Sequence, residues 1–278
     1  MPVRLGPASC ALCLAFLVGG CGSGSNVRLS EDSREAAYPA GPGDRRLSQV
    51  PTVRRLANAQ GPCRAAVTTL GSSSVAYAAS VNREAVIRAQ PQGGASVVAR
   101  LGRLDRRGFR EVLGLMGVHS SRRCTPAWYR VRLSILPNGT TGWVRASAVT
   151  TYRVHSRIVV DLSQRRLRLF RSGKLAFETP VAVGSPATPT PRGHYFVNQR
   201  YALPDGSGPF GPHALGISAH SEALQDTWVE NGPIAIHGTN EPQSIGQATS
   251  HGCIRVANDV MRQLFPLAPA GTPVIVNT

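Results

Sequence analysis

Two short segments of this 278-residue chain carry a histidine and a cysteine that could act together. His237 lies in segment 236–240, Cys253 lies in segment 250–255, and the two residues are 16 positions apart. A thiolate is far more nucleophilic than a thiol, so a catalytic cysteine needs a base or a cation nearby. We therefore predict that the His237 imidazole removes the Cys253 proton and holds the sulfur as an anion that attacks a carbonyl carbon.

This chemistry also requires a partner for the imidazole and donors for the oxyanion, and the same two segments could supply both. The imidazole needs a partner that fixes its tautomer, and neither segment contains an acidic residue. We expect the Gly238 carbonyl to be that partner. The oxyanion formed during attack needs oriented donors. The predicted donors are backbone N–H groups around His251, Gly252 and Cys253, and Gly252 has no side chain to block the approach.

The same residues allow two other interpretations, a zinc site and ordinary buried side chains. His237, His251 and Cys253 lack the paired spacing of zinc ligands, and a fourth ligand would be needed. Single histidines and cysteines are usually structural. Here they lie in turns, after apolar stretches such as 233–236, and turns expose side chains. We therefore favour catalysis and predict neither a metal nor a cofactor.

The N-terminus has the pattern of an export signal. Arg4 is the only charged residue among residues 1–20, and an apolar run follows at 11–18. This run is shorter than a membrane-spanning helix. Val18-Gly19-Gly20-Cys21 resembles a bacterial lipobox, in which the cysteine is lipidated. We predict lipidation of Cys21; ordinary cleavage and an uncleaved anchor are the alternatives.

Cysteine usage supports the choice of nucleophile. Of six cysteines, two fall in the predicted signal peptide and one is the lipidation candidate, which leaves Cys63, Cys124 and Cys253. An exported protein meets oxidising conditions, in which disulfides form. Cys63 and Cys124 either pair or remain two separate buried thiols, and Cys253 is unpaired in both cases.

The remaining chain is rich in turn-forming residues, with 29 Gly and 21 Pro. This favours β structure over a helix bundle. We predict a tether at 21–73, a small β domain at 74–151 and a second, mainly β domain that starts near Arg157. Residues 166–170 alternate in the manner of a half-exposed strand. One short helix is expected near 258–265.

Segment 74–151 contains short apolar stretches separated by turn signals, which is typical of a small barrel. Its Trp128-Tyr129-Arg130-Val131 strand and its closing Gly142-Trp143-Val144-Arg145 resemble the bacterial SH3-like module. Such modules often bind the cell wall or a protein partner. The resemblance therefore implies either a binding domain or a spacer without a ligand.

The chain is strongly basic, with 31 Lys and Arg against 15 Asp and Glu. A basic protein is drawn to anionic partners, and anionic wall polymers are candidates. However, Lys174 is the only lysine, so a genomic preference for arginine explains the charge equally well. The arginines are scattered and no nucleic-acid-binding motif occurs, so no nucleic-acid partner is predicted.

The most specific resemblance covers residues 156–277 and is to the L,D-transpeptidase, or YkuD, catalytic domain. That family carries a His-Gly motif and then a Ser/Thr-His-Gly-Cys motif, which 237–238 and 250–253 match. Segment 183–193, VGSPATPTPRG, is similar to the family's Gly-x-Pro-x-Thr-Pro-Thr-Pro-x-Gly segment, and 208–216 also matches. The implied fold class is mainly β, with a β-sandwich-like catalytic domain and one or two short helices.

The resemblance also implies a role for each residue of the site. The implied nucleophile is Cys253 and the implied base is His237. The residues implied to shape the site and its oxyanion hole are Ser250, His251, Gly252 and Gly238. The implied substrate-binding residues are Arg255 and Asn240, although a structural ion pair is an equally good role for Arg255.

The implied reaction joins two peptidoglycan stem peptides. The cysteine attacks the third residue of a tetrapeptide stem, D-alanine leaves, and the side-chain amine of a second stem resolves the thioester into a 3→3 cross-link. With water as acceptor the enzyme would be an L,D-carboxypeptidase, and a non-catalytic wall-binding lipoprotein is a third alternative. Carbapenems would acylate the same cysteine. The lipid anchor implies attachment to the extracytoplasmic face of a bacterial membrane, facing the wall.

Overall fold

A computed structural model describes residues 67–203, 206–224 and 232–278. The predicted signal peptide, Cys21 and Cys63 lie outside the described residues, so the predictions on them stay predictions. Of the other two cysteines in question, Cys124 is disulfide-bonded and Cys253 is a free thiol. The described chain is mainly β, as predicted. Within it, no helix is long and apolar enough to cross a membrane.

The first eight strands form one antiparallel sheet, here called the N-terminal β domain (residues 67–154). The strands are β1 (Val67–Thr69), β2 (Ala76–Val81), β3 (Glu84–Arg88), β4 (Val97–Gly102), β5 (Val112–Ser120), β6 (Pro126–Arg132), β7 (Thr141–Arg145) and β8 (Val149–Val154). Their order in the sheet is β4-β3-β7-β6-β5-β2-β8, with β1 on β5. Alternate side chains such as Ile87, Leu113 and Val131 are fully buried and form its core.

This sheet extends beyond both ends of the predicted domain at 74–151. β1 lies inside the segment predicted as tether, because Val67–Thr69 pair with residues 117–119 of β5. These three residues form a strand because their backbone hydrogen-bonds to β5. Such pairing leaves no periodic pattern in so short a sequence. At the other end, β8 continues to Val154 because all six of its residues pair with β2.

The following strands form the C-terminal domain (residues 156–277). They are β9 (Ser156–Asp161), β10 (Arg166–Arg171), β11 (Lys174–Pro180), β12 (Val183–Gly184), β13 (Gly193–Ala202), β14 (His213–His220), β15 (Pro233–His237), β16 (Ala248–Ser250), β17 (Ile254–Arg255) and β18 (Pro273–Asn277). Eight of them form a mixed sheet in the order β11-β10-β9-β18-β13-β14-β15-β17, and β12 pairs with β16. The predicted alternation in β10 is confirmed, because Leu167 and Leu169 are fully buried.

A single α-helix is present in the described residues, α1 (Asn258–Leu267), where one was predicted. Met261 and Leu264 are fully buried against the strands of the C-terminal domain. Each buried side chain of this kind contributes about 1.5–3 kcal/mol relative to its exposed state. The helix therefore fixes the segment that directly follows β17, and β17 in turn follows Cys253.

The two domains contact each other through apolar and polar side chains. Val112 of the N-terminal β domain packs with Phe196 and Ala270 of the C-terminal domain. Nearby, the Asn138 side chain donates a hydrogen bond of 2.7 Å to the His220 carbonyl and accepts one of 2.9 Å from the His220 N–H. The turn around Pro137-Asn138-Gly139 is therefore a contact between the two domains, which the sequence did not predict.

A half-buried carboxyl directly before β5, that of Glu111, makes the stability of the fold depend on pH. Burial, and secondarily the charge of Asp105, raises the pKa of Glu111 from 4.5 to about 7. The folded protein therefore binds more protons at this group than the unfolded chain does. The contribution of Glu111 to the free energy of unfolding is complete below the pKa of the unfolded chain and is lost as the pH rises toward 7.

We predict that Glu111→Gln raises the melting temperature at about pH 8 and changes it much less at about pH 5. Glutamine stays neutral, so the variant avoids the cost of a buried charge at the higher pH. Calorimetric melting of both proteins at both pH values measures this difference. The other titrating groups are the same in both proteins, so their effects cancel in the difference between the two melting temperatures. An equal shift at the two pH values would contradict the prediction.

Candidate active site

Parallel pairing of β15 with β17 brings His237 and Cys253 together. Ile236 pairs with Ile254 and His237 pairs with Arg255, so the same register places Cys253 opposite Ala235. The Cys253 sulfur accordingly accepts a hydrogen bond from the Ala235 backbone. Alternate residues of a strand point to the same face, so the histidine and the cysteine share one face on adjacent strands. Strand rise and spacing put their Cα atoms about 8 Å apart, within reach of the two side chains.

The environment of His237 leaves its second ring nitrogen as a proton acceptor. The side chain is 3 % exposed, and Nδ1 donates a 2.5 Å hydrogen bond to the Gly238 carbonyl, the partner expected from the sequence. Burial is the main cause that lowers the pKa of this imidazole to about 4; Arg255 also lowers it, and the Gly238 contact opposes them. At neutral pH the ring is therefore uncharged, with its lone pair on Nε2.

The Cys253 side chain is a thiol in the resting site. Burial raises its pKa, while the Ala235 hydrogen bond and the charge of Arg255 oppose that change. This differs from the sequence-based expectation of a sulfur held as an anion. The reason is desolvation, which disfavours the thiolate and the imidazolium together. A nucleophilic attack by this sulfur would therefore require a proton transfer from Sγ to Nε2.

The turn that presents Cys253 is held by Ser250. The Ser250 hydroxyl donates a 2.6 Å hydrogen bond to the Cys253 carbonyl and accepts one of 3.1 Å from the Gly252 N–H. The Gly252 N–H was one of the predicted oxyanion donors, and this contact directs it at the serine instead. Gly252 itself has φ of 110°, and a Cβ there would lie 2.9 Å from the Ile234 side chain. The turn therefore requires glycine at this position.

Two threonines that the sequence analysis did not single out anchor the same turn. The Thr188 hydroxyl donates to the Ser250 carbonyl at 3.0 Å, and the Thr190 hydroxyl donates to the Gly252 carbonyl at 2.8 Å. Thr190 also accepts a 2.8 Å hydrogen bond from the Gly184 N–H. Both threonines belong to the Thr-Pro-Thr-Pro stretch noted in the sequence. Their spacing of two residues is the signal that could have indicated hydroxyls on one side of an extended segment.

Asn258, the first residue of α1, was also missed. Its side-chain oxygen accepts a 2.7 Å hydrogen bond from the Thr239 N–H, directly after the segment that orients the histidine. A Cβ on Gly238 would lie 2.2 Å from this oxygen, so only glycine fits there. On another side of the histidine, the Phe210 ring packs against it edge-to-face with centroids 4.9 Å apart, although Phe210 is 41 % exposed.

The remaining predicted residues lie around this centre. Arg255 forms an ion pair with Glu241, with 2.5 Å between Nη1 and Oε2, so the structural role left open by the sequence is present. The Arg255 side chain nevertheless stays 20 % exposed. His251 and Asn240 are exposed. Within the described ranges, no group of three or more His, Cys, Asp or Glu residues could hold a metal ion.

Comparison with known proteins gives consistent results. The sequence profile of the L,D-transpeptidase catalytic domain (YkuD) matches residues 155–276. A protein of Bacillus licheniformis named as the L,D-transpeptidase YkuD is 39 % identical over 120 residues, which cover 43 % of this chain and 64 % of the relative. A protein of the same name in Bacillus subtilis is 34 % identical over 126 residues, which cover 45 % of this chain and 68 % of that relative. The chain thus spans about two thirds of the length of these relatives.

Solved structures of similar proteins are also found. The catalytic domain of an L,D-transpeptidase from Enterococcus faecium is 28 % identical, with a TM-score of 0.33 over 44 % of this chain and 96 % of that one. An L,D-transpeptidase from Mycobacterium smegmatis is 19 % identical, with a TM-score of 0.39 over 61 % of this chain and 91 % of that one.

The charge states of the resting site predict how Cys253 responds to a small alkylating reagent. Because burial raises the pKa of the thiol, its alkylation by iodoacetamide should still accelerate with pH at about pH 9. Arg255→Gln removes a charge that lowers this pKa, so it should shift the profile to higher pH. Intact-mass spectrometry over a pH series measures both profiles, and a rate that is already constant from about pH 6 would contradict the prediction.

Proposed function

The chain belongs to the L,D-transpeptidase (YkuD) family, and from this premise we propose that it forms 3→3 cross-links between peptidoglycan stem peptides through a Cys253 thioester. The observation that carries the proposal is the pairing of β15 with β17, which places a free thiol beside a neutral imidazole with an available Nε2 lone pair. A nucleophile, a base and a carbonyl that fixes the tautomer of the base are three of the parts that cysteine acyl transfer requires.

In the first half-reaction His237 Nε2 takes the Cys253 proton while the sulfur attacks the carbonyl carbon of the third stem residue. The tetrahedral intermediate collapses, the bond to the D-alanine nitrogen breaks, and the imidazolium gives its proton to that leaving amine. The products are a thioester on Cys253 and free D-alanine. Since the resting pair is neutral, charge separates only when the substrate has displaced water from the site.

In the second half-reaction the side-chain amine of another stem attacks the thioester. His237 takes a proton from this amine as the new amide bond forms and returns it to the departing Cys253 sulfur. Water in place of the amine gives a tripeptide, the L,D-carboxypeptidase alternative. The exposed surface around His251 and Asn240 is where an acceptor would approach.

The oxyanion needs a backbone donor other than Gly252, because that N–H is directed at Ser250. We assign this role to the Cys253 N–H, which belongs to the attacking residue itself and is fixed by the Ser250 contact to the Cys253 carbonyl. Arg255 is assigned to a substrate carboxylate. Its partner Glu241 is 54 % exposed, so a substrate carboxylate can replace it without leaving a buried charge unpaired.

Replacing either reacting residue should abolish product formation. We predict that Cys253→Ala and His237→Ala lower the rate of 3→3 dimer formation from disaccharide-tetrapeptide by about 10³-fold or more. Mass spectrometry of the products and intact-mass analysis with a carbapenem measure turnover and the acyl-enzyme. His194→Ala, at an exposed histidine of β13, is the matched control and should retain activity.

Three outcomes would change the proposal. Tripeptide as the sole product of the wild-type protein would establish the carboxypeptidase alternative. No turnover and no acyl adduct would favour the non-catalytic wall-binding alternative. Activity that survives Cys253→Ala in a folded protein, checked by circular dichroism, would show that the nucleophile is another residue.

The proposed location follows from the N-terminal sequence. The lipobox-like residues ending at Cys21 support a lipid anchor on the extracytoplasmic face of the membrane, where the site would face the wall. A single acyl chain binds membranes only reversibly, whereas a multiply acylated cysteine is stably held. Basic surface residues would add attraction to anionic wall polymers.

We predict that Cys21→Ser releases the protein from the membrane. Fractionation of cells that express each form, followed by immunoblotting, shows where the protein resides. The membrane fraction should hold the wild-type protein, and the variant should be found outside it. A variant that stays in the membrane fraction after a high-salt wash would contradict the lipid anchor, because salt removes an electrostatic attachment.

A further inference from the structure

The face of the sheet that carries His237 continues across two more strands. Ala214 of β14 pairs with His237, and Tyr201 of β13 pairs with Ala214. Residues that pair across strands point to the same face, so Tyr201, Ala214, His237 and Arg255 form one row. Two strand spacings, about 10 Å, separate the Cα atoms of Tyr201 and His237. Tyr201 is therefore on the catalytic face, although it lies 52 positions from Cys253 in the sequence.

A turn of the N-terminal β domain docks onto this end of the row. We call residues 103–110 the arginine turn, because they include Arg103, Arg106, Arg107 and Arg110. Its Phe109 is 1 % exposed and packs edge-to-face against Tyr201, with ring centroids 4.8 Å apart. Asp105 accepts a hydrogen bond from the Gln199 side chain, and Gln199 accepts one from the Tyr201 hydroxyl.

Hydrogen bonds within the arginine turn fix its conformation. The second carboxylate oxygen of Asp105 accepts hydrogen bonds from the backbone N–H groups of Arg107 at 2.9 Å and Phe109 at 2.8 Å. The Asp105 N–H also donates to the Phe109 carbonyl at 2.7 Å. One carboxylate thus fixes the turn and attaches it to the catalytic face.

These contacts place a guanidinium on the catalytic face. The Arg107 side chain is exposed to solvent and lies near the Tyr201 hydroxyl, where its charge lowers the pKa of that hydroxyl against the larger effect of burial. Arg255 stands at the opposite end of the same row. A cation thus marks each end of the row that contains His237. An extended peptide rises about 3.3 Å per residue, so three stem residues span the distance from His237 to Tyr201.

We propose that the arginine turn is part of the substrate-binding site, and that Arg107 binds a carboxylate of the peptidoglycan stem peptide. The inference rests on the proposed function. Stem peptides carry several carboxylates, and a guanidinium binds a carboxylate through two parallel hydrogen bonds. The N-terminal β domain then acts in substrate binding through this turn and is more than a spacer.

The test is steady-state kinetics of the purified protein with a tetrapeptide stem as donor. Arg107→Ala should raise KM about tenfold and change kcat by less than about twofold, because the contact is remote from the reacting atoms. Arg107→Lys keeps the charge and should recover part of the loss. The effect of Arg107→Ala should shrink at high ionic strength. Iodoacetamide, which is small and uncharged, should alkylate Cys253 at the wild-type rate in every variant.

Arg122→Ala is the matched control, because it changes the net charge by the same amount. Arg122 is exposed and lies just after β5, whereas the arginine turn lies just before it. Equal KM values for Arg107→Ala and Arg122→Ala would overturn the inference. A lower melting temperature together with slower Cys253 alkylation in Arg107→Ala would also overturn it, because both indicate a structural role. Absence of turnover in the wild-type protein would contradict the proposed function instead.

Discussion

The site depends on the parallel pairing of β15 with the very short strand β17. β17 has only two residues, yet its register against β15 decides that Cys253 and His237 share a face. A slip of one residue would turn the cysteine to the opposite, core-facing side. The register is secured on both sides, because Ala182 exchanges two 2.9 Å backbone hydrogen bonds with Arg255 on the edge of β17 away from β15.

The burial of His237 and the partial burial of Cys253 set the chemistry of the pair as much as proximity does. In water an imidazole beside a thiol could share a proton as an ion pair, but here desolvation lowers the pKa of His237 and raises that of Cys253. Both groups are therefore neutral at rest, which protects the sulfur from small reagents. The Gly238 carbonyl leaves Nε2 as the acceptor, and the proposed mechanism uses this nitrogen to receive the thiol proton.

The surrounding contacts explain why small residues and hydroxyls recur near the reacting groups. Ser250, Thr188 and Thr190 each donate a hydrogen bond to a carbonyl in the cysteine turn, which a hydrophobic side chain could not do. Gly238 and Gly252 are required by close approach and by positive φ, respectively. Farther along the same face, the N-terminal β domain holds Tyr201, so the two domains meet at the edge of the catalytic surface.

The local sequence predicted the candidate site and much of the fold, and tertiary structure decided the rest. The His-Gly and Ser-His-Gly-Cys segments, the alternating strand at 166–170 and the helix near 258–265 are local patterns, so the residues alone predicted them. Strand register, the charge states of the buried pair, the contact of Asn258 with Thr239 and the docking of the arginine turn join residues far apart in the chain. They follow from long-range packing and desolvation, which no short window of sequence records.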